Sequence, residues 1–337
     1  MNFDLHSHFF PLEAFQKATK FREQAPRITQ ANGRYSVSAG AGTRGNLTEG
    51  AYNIDARVKE LDRMGIDMQA LSPSPILLFY GASPDAAVYF SRLQNEAIKA
   101  VVEARPDRFV GFGTAPLQSV FDAIAVAGEA KNLGLKGLEI GTHVQGKPLD
   151  HPDLEPFYQT AERLGLLLFV HPIEGGGEGG DPVAAELGNV LSFPYQTTLM
   201  VERMILKGLF EKYRHLRLCL AHGGGLLAYN IWRLDHAYAQ RSALRENVPH
   251  KPSSYLKQLY FDSILHSAMA LDFLIQVVGA DRVVIGTDYP MGMGDKNPVA
   301  TIMALKSVNE AERTQILETN AMKALGMEDP ATPRTKS

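Results

Sequence analysis

Short apolar runs alternate with longer amphipathic ones along most of this chain. The first run, Met1-Asn2-Phe3-Asp4-Leu5-His6-Ser7-His8-Phe9-Phe10, closes on a His-x-His pair. As a strand it turns His6 and His8 to the same side of its C-terminal end, because successive side chains alternate faces. A helix-like stretch from Pro11 to about Lys20 follows, then a polar, glycine-rich segment over 21–50. Asn53 to Gly65 carries Ile54, Val58, Leu61 and Met64 at helical spacing, with Gly65 as the stop. Further strand-like runs are Met68–Pro73, Phe109–Gly113, Leu135–Ile140, Leu166–Val170, Leu216–Ala221, Gln258–Phe261 and Arg282–Thr287. The spacing predicts helices between them over Ala86–Ala104, Ser119–Asn132, Pro152–Leu164, Thr197–Lys212, Trp232 to Gln240 and Ala268–Val278, then over 298–307 and 309–325.

Eight strand-like runs separated by helices require a parallel sheet, since each helix returns the chain across the sheet's face. At this length the pattern predicts an α/β fold of the (β/α)8 TIM-barrel type, one domain over 1–326 with a polar tail at 327–337. The 21–50 insertion after the first strand reads as a flap beside the His-x-His pair rather than as a linker. A doubly wound sheet is the alternative, but no Gly-x-Gly-x-x-Gly follows the first strand. The loop Glu174-Gly175-Gly176-Gly177 lacks the lysine and hydroxyl of a phosphate loop.

Composition narrows the class. Of 337 residues, 45% are hydrophobic and 21% charged, ordinary for a globular protein. The net charge of −3 makes no electrostatic case for nucleic acid or an anionic membrane. The single cysteine, Cys219, sits in an apolar run as a core thiol and excludes an internal disulfide framework. With no basic, apolar leader and no run of transmembrane length, the expectation is a cytoplasmic protein.

The chemistry gathers at strand ends. His6 and His8, His171, His222 and Asp288 each stand where a strand-like run stops. In a barrel those ends converge on one mouth, so residues nearly 300 positions apart become neighbours. Three or four nitrogen and oxygen donors with one position left open describe a catalytic divalent site of zinc type. Each residue alone has an ordinary structural reading; their common placement does not. Asp262, Glu139 and His266 lie near strand ends too, Asp262 as an orienting group for a ligand and Glu139 as a weaker case for bridging a second metal. His143, His151, His215, His236 and His250 read as surface residues, and Trp232 as core.

Asp4-Leu5-His6-Ser7-His8-Phe9-Phe10-Pro11, Val170-His171-Pro172, His222-Gly223-Gly224-Gly225 and Gly286-Thr287-Asp288-Tyr289-Pro290 together resemble the signature of the amidohydrolase superfamily, within it the aminocarboxymuconate-semialdehyde decarboxylase branch. The resemblance runs over essentially the whole chain. It implies one divalent metal, Zn2+ with Mn2+ as the alternative, held by His6, His8, His171 and Asp288. It also implies a general acid/base in His222 and a substrate carboxylate held by Arg233 across a homodimer interface. The branch's other carboxylate-binding arginine precedes the first βα helix, where Arg44 stands about one residue out of register. The expected activity is decarboxylation of a carboxymuconate semialdehyde-like or aromatic carboxylic acid. Hydrolysis of a C–C, amide or lactone bond needs much the same groups and is the alternative, with non-catalytic metal binding third.

Overall fold

The computed structural model describes residues 1–40, 42–173 and 187–327; the Glu174–Gly180 loop and all but the first residue of the 327–337 tail lie outside them. Eight parallel strands follow one another in chain order: β1 (Phe3–Asp4, resumed at His8–Phe9), β2 (Met68–Pro73), β3 (Phe109–Gly113), β4 (Gly137–Gly141), β5 (Leu167–His171), β6 (Arg217–Leu220), β7 (Leu259–Asp262) and β8 (Val283–Val284). Bridges Asp4–Ile285 and Ser7–Tyr289 join the first strand to the end of the last, so the sheet closes on itself. Sequential order with closure excludes the doubly wound alternative and makes a (β/α)8 barrel.

The apolar runs explain the layers. Phe3, Leu5, Phe112, Phe169, Cys219 and Val284 point into the barrel and are 0% exposed or nearly so. Helix Asn320–Leu325 packs Ala321, Ala324 and Leu325 against this cluster, while Asn320 Nδ2 donates to the carbonyls of Ala280 and Val283 at 2.7 Å each. A second, larger apolar cluster fills the space between strands and outer helices. Helix Ile54–Met64 starts on Asn53, whose side-chain oxygen accepts from Asp55 N and Ala56 N, and stops at left-handed Gly65.

Three expectations need correction. Trp232 is not core: it is 51% exposed and meets the edge of Phe273 on the outside, because its helix, Leu227–Gln240, buries the face of Leu227, Ala228 and Ile231 instead. The helix expected over Pro11–Lys20 is only Leu12–Gln16; Leu12, Phe15 and Ala18 drop into a local cluster that bends the chain away. The helix expected over 298–307 ends at Met303, while the one expected over 309–325 runs unbroken over 310–325 with one wider turn at Gln315–Thr319.

The 21–50 insertion holds an antiparallel meander of Arg27–Ala31, Arg34–Ala39 and Gly42–Leu47. Val37 and Leu47 are its buried anchors, packed with Phe10, Phe15, Phe79 and Phe90. With so few apolar residues, period-two alternation was hidden among serines and glycines.

Candidate metal centre

Strand β1 breaks between Asp4 and His8, and a buried polar network sets the break. Asp4 accepts from the backbone N–H of His6 and of Thr287 at 3.0 Å each, and from Gln69 Nε2 and Thr287 Oγ1 at 2.6 Å each. Burial lifts the Asp4 carboxyl to about 6 against the pull of those bonds. Arg57, 0% exposed, donates to Gln69 Oε1 at 2.8 Å, Gly50 O at 2.8 Å, Ser7 Oγ at 3.2 Å and the His8 carbonyl. Its guanidinium lies over the Tyr289 ring at 4.9 Å, replacing water by an aromatic face. The ends of β1, β2 and the segment after β8 are thereby tied into one unit. Asp288 is fixed in turn by its N–H on the His6 carbonyl at 2.8 Å, in a left-handed conformation (φ 53°).

The four side chains at these ends meet. One donor atom each from His6, His8, His171 and Asp288 lie within 4.8 Å of one another, all buried. His6 Nε2 is 3.3 Å from His8 Nε2, and Asp288 Oδ1 is 3.4 Å and 3.1 Å from the two. The opposite ring nitrogens decide the tautomers. His6 Nδ1 is 2.5 Å from Asp262 Oδ2 and His171 Nδ1 is 2.6 Å from the Pro172 carbonyl. A carboxylate and a carbonyl only accept, so both Nδ1 atoms carry the proton and both Nε2 lone pairs face the cluster.

Electrostatics fit a cation among these donors. Burial alone raises the Asp288 carboxyl, yet the imidazoles of His6, His8 and His222 outweigh it and hold it at about 2. Burial lowers His8, but Glu139 and Asp288 reverse the sign and carry it to about 9. His171 is pushed well below the usual histidine range by burial and by the charges of the other rings. Asp288 Oδ1 is buried and makes no hydrogen bond, a costly state for a carboxylate oxygen that a cation among these donors would relieve. Three imidazole nitrogens and one carboxylate oxygen suit a divalent transition-metal ion. A metal site built from His6, His8, His171 and Asp288 is present.

His222 stands at the end of β6 in a left-handed conformation (φ 55°), followed by Gly223, Gly224 and Gly225, all left-handed. A Cβ on Gly225 would sit 2.2 Å from the Pro194 carbonyl oxygen, so the tight turn demands glycine. The turn aims the N–H groups of His222 and Gly223 at Asp262, at 2.9 and 2.7 Å. Asp262 therefore does what its strand-end position predicted, orienting His6 while anchoring the His222 turn. His222 Nε2 reaches Asp288 Oδ2 at 4.0 Å, and burial lowers the ring to about 4, leaving it neutral near pH 7. Its ring lies nearly parallel to Phe193 at 6.4 Å between centroids.

The two arginines lie on the meander and on an outer helix. Arg44 is half-buried in the last strand of the meander, where its Nη1 donates to the Thr43 carbonyl at 3.1 Å. Arg233 is exposed on the outer face of helix Leu227–Gln240, the face that also bears Tyr229, Trp232 and His236. Of the remaining histidines, His215, His236, His250 and His266 are exposed, while His143 and His151 are half-buried. Glu139, central in β4 and 0% exposed, places Oε2 3.6 Å from His8 Nδ1. The strand-end pattern does not single out Arg57; its signal is its place on the apolar stripe of its own helix, one turn from both Ile54 and Leu61. An arginine on a buried stripe needs a polar network to receive it.

Comparison with known proteins bears on this site. The amidohydrolase family model matches residues 3–327. The chain is 34% identical over 284 residues to the 2-amino-3-carboxymuconate-6-semialdehyde decarboxylase of Dictyostelium discoideum, covering 84% of this chain and 79% of that one. It is 29% identical over 286 residues to the gamma-resorcylate decarboxylase of a Rhizobium species, covering 79% and 85%. Among solved structures, 5-carboxyvanillate decarboxylase from Novosphingobium aromaticivorans, complexed with manganese and a nitrobenzoic acid, superposes with a TM-score of 0.80 at 23% identity, covering 97% of this chain and 96% of that one.

Proposed function

The chain belongs to the amidohydrolase family, and from that membership and the geometry of its mouth we propose how it works as a metal-dependent decarboxylase. It is a carboxy-lyase, acting on a carboxymuconate semialdehyde-like or aromatic carboxylic acid, in line with the decarboxylase relatives it matches over most of their length. The observation that carries the reading is the meeting of three imidazoles and Asp288 beside a neutral, strand-end His222. Hydrolysis would use the same groups, but no observation favours it over the activity of the relatives.

The resident ion is a single divalent cation, Zn2+ by preference for a three-nitrogen, one-oxygen set, with Mn2+ as the alternative that a manganese-containing structural relative supports. When bound it supplies Lewis acidity for charge developing on substrate oxygens. The protein's own groups do the rest. Loss of CO2 breaks a C–C bond and leaves an electron pair on carbon, which a proton must take. His222, neutral and pointed at Asp288, relays that proton, and Asp288 serves both as ligand and as the acid/base partner that receives or returns it. Arg233 from a second copy, with Arg44 from the meander, anchors a substrate carboxylate through the planar donor fork of guanidinium.

The part given to Arg233 calls for a homodimer. Tyr229 and Met269 are 80% and 81% exposed, and with Trp232 and Phe273 they make an apolar outer face on two neighbouring helices, of the kind that docks to protein. Residues 1–326 act as one unit, with the meander as a flap over the mouth. Among the described residues no helix is long and apolar enough to cross a membrane, and we assign a cytoplasmic location. The test is CO2 release from 2-amino-3-carboxymuconate semialdehyde and a panel of hydroxybenzoates, before and after chelation. Metal-dependent release supports the reading; release that survives complete metal removal, or none from any acid alongside hydrolysis of a lactone or amide, overturns it.

A further inference from the structure

Each of the three ring ligands has a second nitrogen, and two of those are plainly accounted for. His6 Nδ1 meets the Asp262 carboxylate at 2.5 Å, and His171 Nδ1 meets the Pro172 carbonyl at 2.6 Å. His8 Nδ1 is buried with no hydrogen bond, and so are both carboxylate oxygens of Glu139. The two residues face each other, Glu139 Oε2 lying 3.6 Å from His8 Nδ1. A shift of about 0.4–0.9 Å by either side chain closes that gap to a hydrogen bond.

Placement decides what Glu139 can do. It sits mid-strand in β4, 0% exposed, and approaches His8 from the Nδ1 side, whereas the donors that converge do so around the Nε2 atoms of His6 and His8. A carboxylate there is poorly placed to bridge ions at the cluster and well placed to receive the Nδ1 proton. A buried, unpaired carboxylate is expensive to keep, so its retention calls for a partner at that spot. The Tyr80 hydroxyl accepts the Gly141 N–H at 3.2 Å, and His8 Nδ1 lies within 4 Å of Glu139, at 3.6 Å.

We propose that Glu139 is a positioning residue for the metal: it accepts the Nδ1–H of His8, fixes the tautomer that presents Nε2 to the ion, and makes that nitrogen a stronger donor. The inference rests on the metal-centre reading above. It assigns Glu139 the part for His8 that Asp262 plays for His6, and carboxylate partners of this kind set ligand orientation and basicity.

The test is a competition titration of Zn2+ against a chromophoric chelator, run on wild type, Glu139→Gln and Glu139→Leu, with thermal unfolding of each metal-free protein as the control for folding. Glu139→Leu is expected to bind zinc about 10–100-fold more weakly, the range for lost partners of metal-bound histidine. Glu139→Gln keeps an accepting oxygen without the charge and is expected to fall between. In the zinc-loaded wild type, long-range 1H–15N spectra should show the His8 proton on Nδ1. Equal zinc affinity in wild type and the Leu variant overturns the proposal, as does a His8 proton on Nε2. Should Glu139→Leu not fold, wild-type affinity in Glu139→Gln overturns it alone. If wild type itself binds no zinc and no other divalent ion, the metal-centre reading fails instead, a result distinct from equal binding.

Discussion

At the floor of the barrel Phe3, Leu5, Phe112, Phe169 and Val284 fill the interior with carbon; a few residues along the same strands, His6, His8, Glu139, His171, Asp262 and Asp288 fill the mouth with charge. Both ends are almost wholly withdrawn from water. The floor is self-sufficient, since buried apolar area stabilises at about 25 cal/mol per Å2 without needing a partner. The mouth is not: Asp288 Oδ1, His8 Nδ1 and both Glu139 oxygens lack hydrogen bonds. Its geometry is held by the Arg57–Gln69–Asp4 network and by strands that the floor keeps in register. One end of the barrel provides stability and the other spends it on a ligand site.

The largest expected effect divides the two ends. His171→Ala should abolish stoichiometric metal binding and cut turnover by about 10³-fold or more, the scale of several kcal/mol of lost Lewis-acid stabilisation. The metal-free variant should melt no lower than metal-free wild type, because it removes a crowded ring rather than a packed one. Metal analysis, turnover and thermal unfolding check this together; a marked loss of apo stability would mean the mouth also supports the fold. Phe112→Ala makes the converse case. It should cost about 3–5 kcal/mol of stability in denaturant unfolding, the usual loss for a buried phenylalanine, while the folded fraction still binds one metal per chain. If it loses metal at full stability, floor and mouth are coupled more tightly than their packing indicates.

The same contrast explains what was legible in the sequence. Strands β2 and β3 stand where the apolar runs put them, at Met68–Pro73 and Phe109–Gly113, because parallel strands buried on both faces are continuous apolar runs. The ligands were legible because polar residues interrupt those runs at their ends, and closure of the sheet turns that regularity into proximity. The meander was not, since its half-exposed strands pair through backbone and few apolar side chains. Trp232 misled because an aromatic residue is usually packed, and here it faces outward with Tyr229. Glu139 looked like an ordinary polar residue at a strand end; only its distance from His8 Nδ1 reveals its neighbour. The Nδ1 partners of His6 and His171 come from 256 residues and one residue away, and the pattern of apolar positions carries no trace of such hydrogen bonds.

A change within the mouth that spares the ligands should have a smaller effect. His222→Asn is expected to keep the metal at wild-type stoichiometry and lose roughly 10²-fold in turnover, the scale of a lost proton relay. Its backbone should tolerate the change, because asparagine adopts the left-handed conformation required at that position (φ 55°) more readily than most residues. Metal content measured beside turnover separates the roles. If the variant loses its metal, His222 belongs to the ligand set and the division between holding the ion and moving the proton is wrong.

The smallest expected signal, a partial recovery of activity on mixing two inactive variants, asks whether the mouth is complete within one chain. Arg233 follows His222 by eleven residues, the last six of them along helix Leu227–Gln240, about 9 Å of helix beyond the glycine turn, and it emerges on the exposed face of that helix beside Tyr229 and Trp232. From there a long cation is better directed at a second copy than at its own barrel mouth. Arg233→Ala and His222→Ala should each be nearly inactive alone. Mixed and allowed to re-form dimers, they generate hybrids in which one site has an intact His222 and an intact arginine from the partner. With random pairing about half the dimers are hybrids and half of their sites work, so about a quarter of wild-type activity should return in a two-fold assembly. If Arg233 acts within its own chain, every site lacks one group and mixing restores nothing. Full activity in Arg233→Ala alone would remove the arginine from the reaction and leave the carboxylate anchor to be found elsewhere, with the Arg44 strand of the meander as the next place to look.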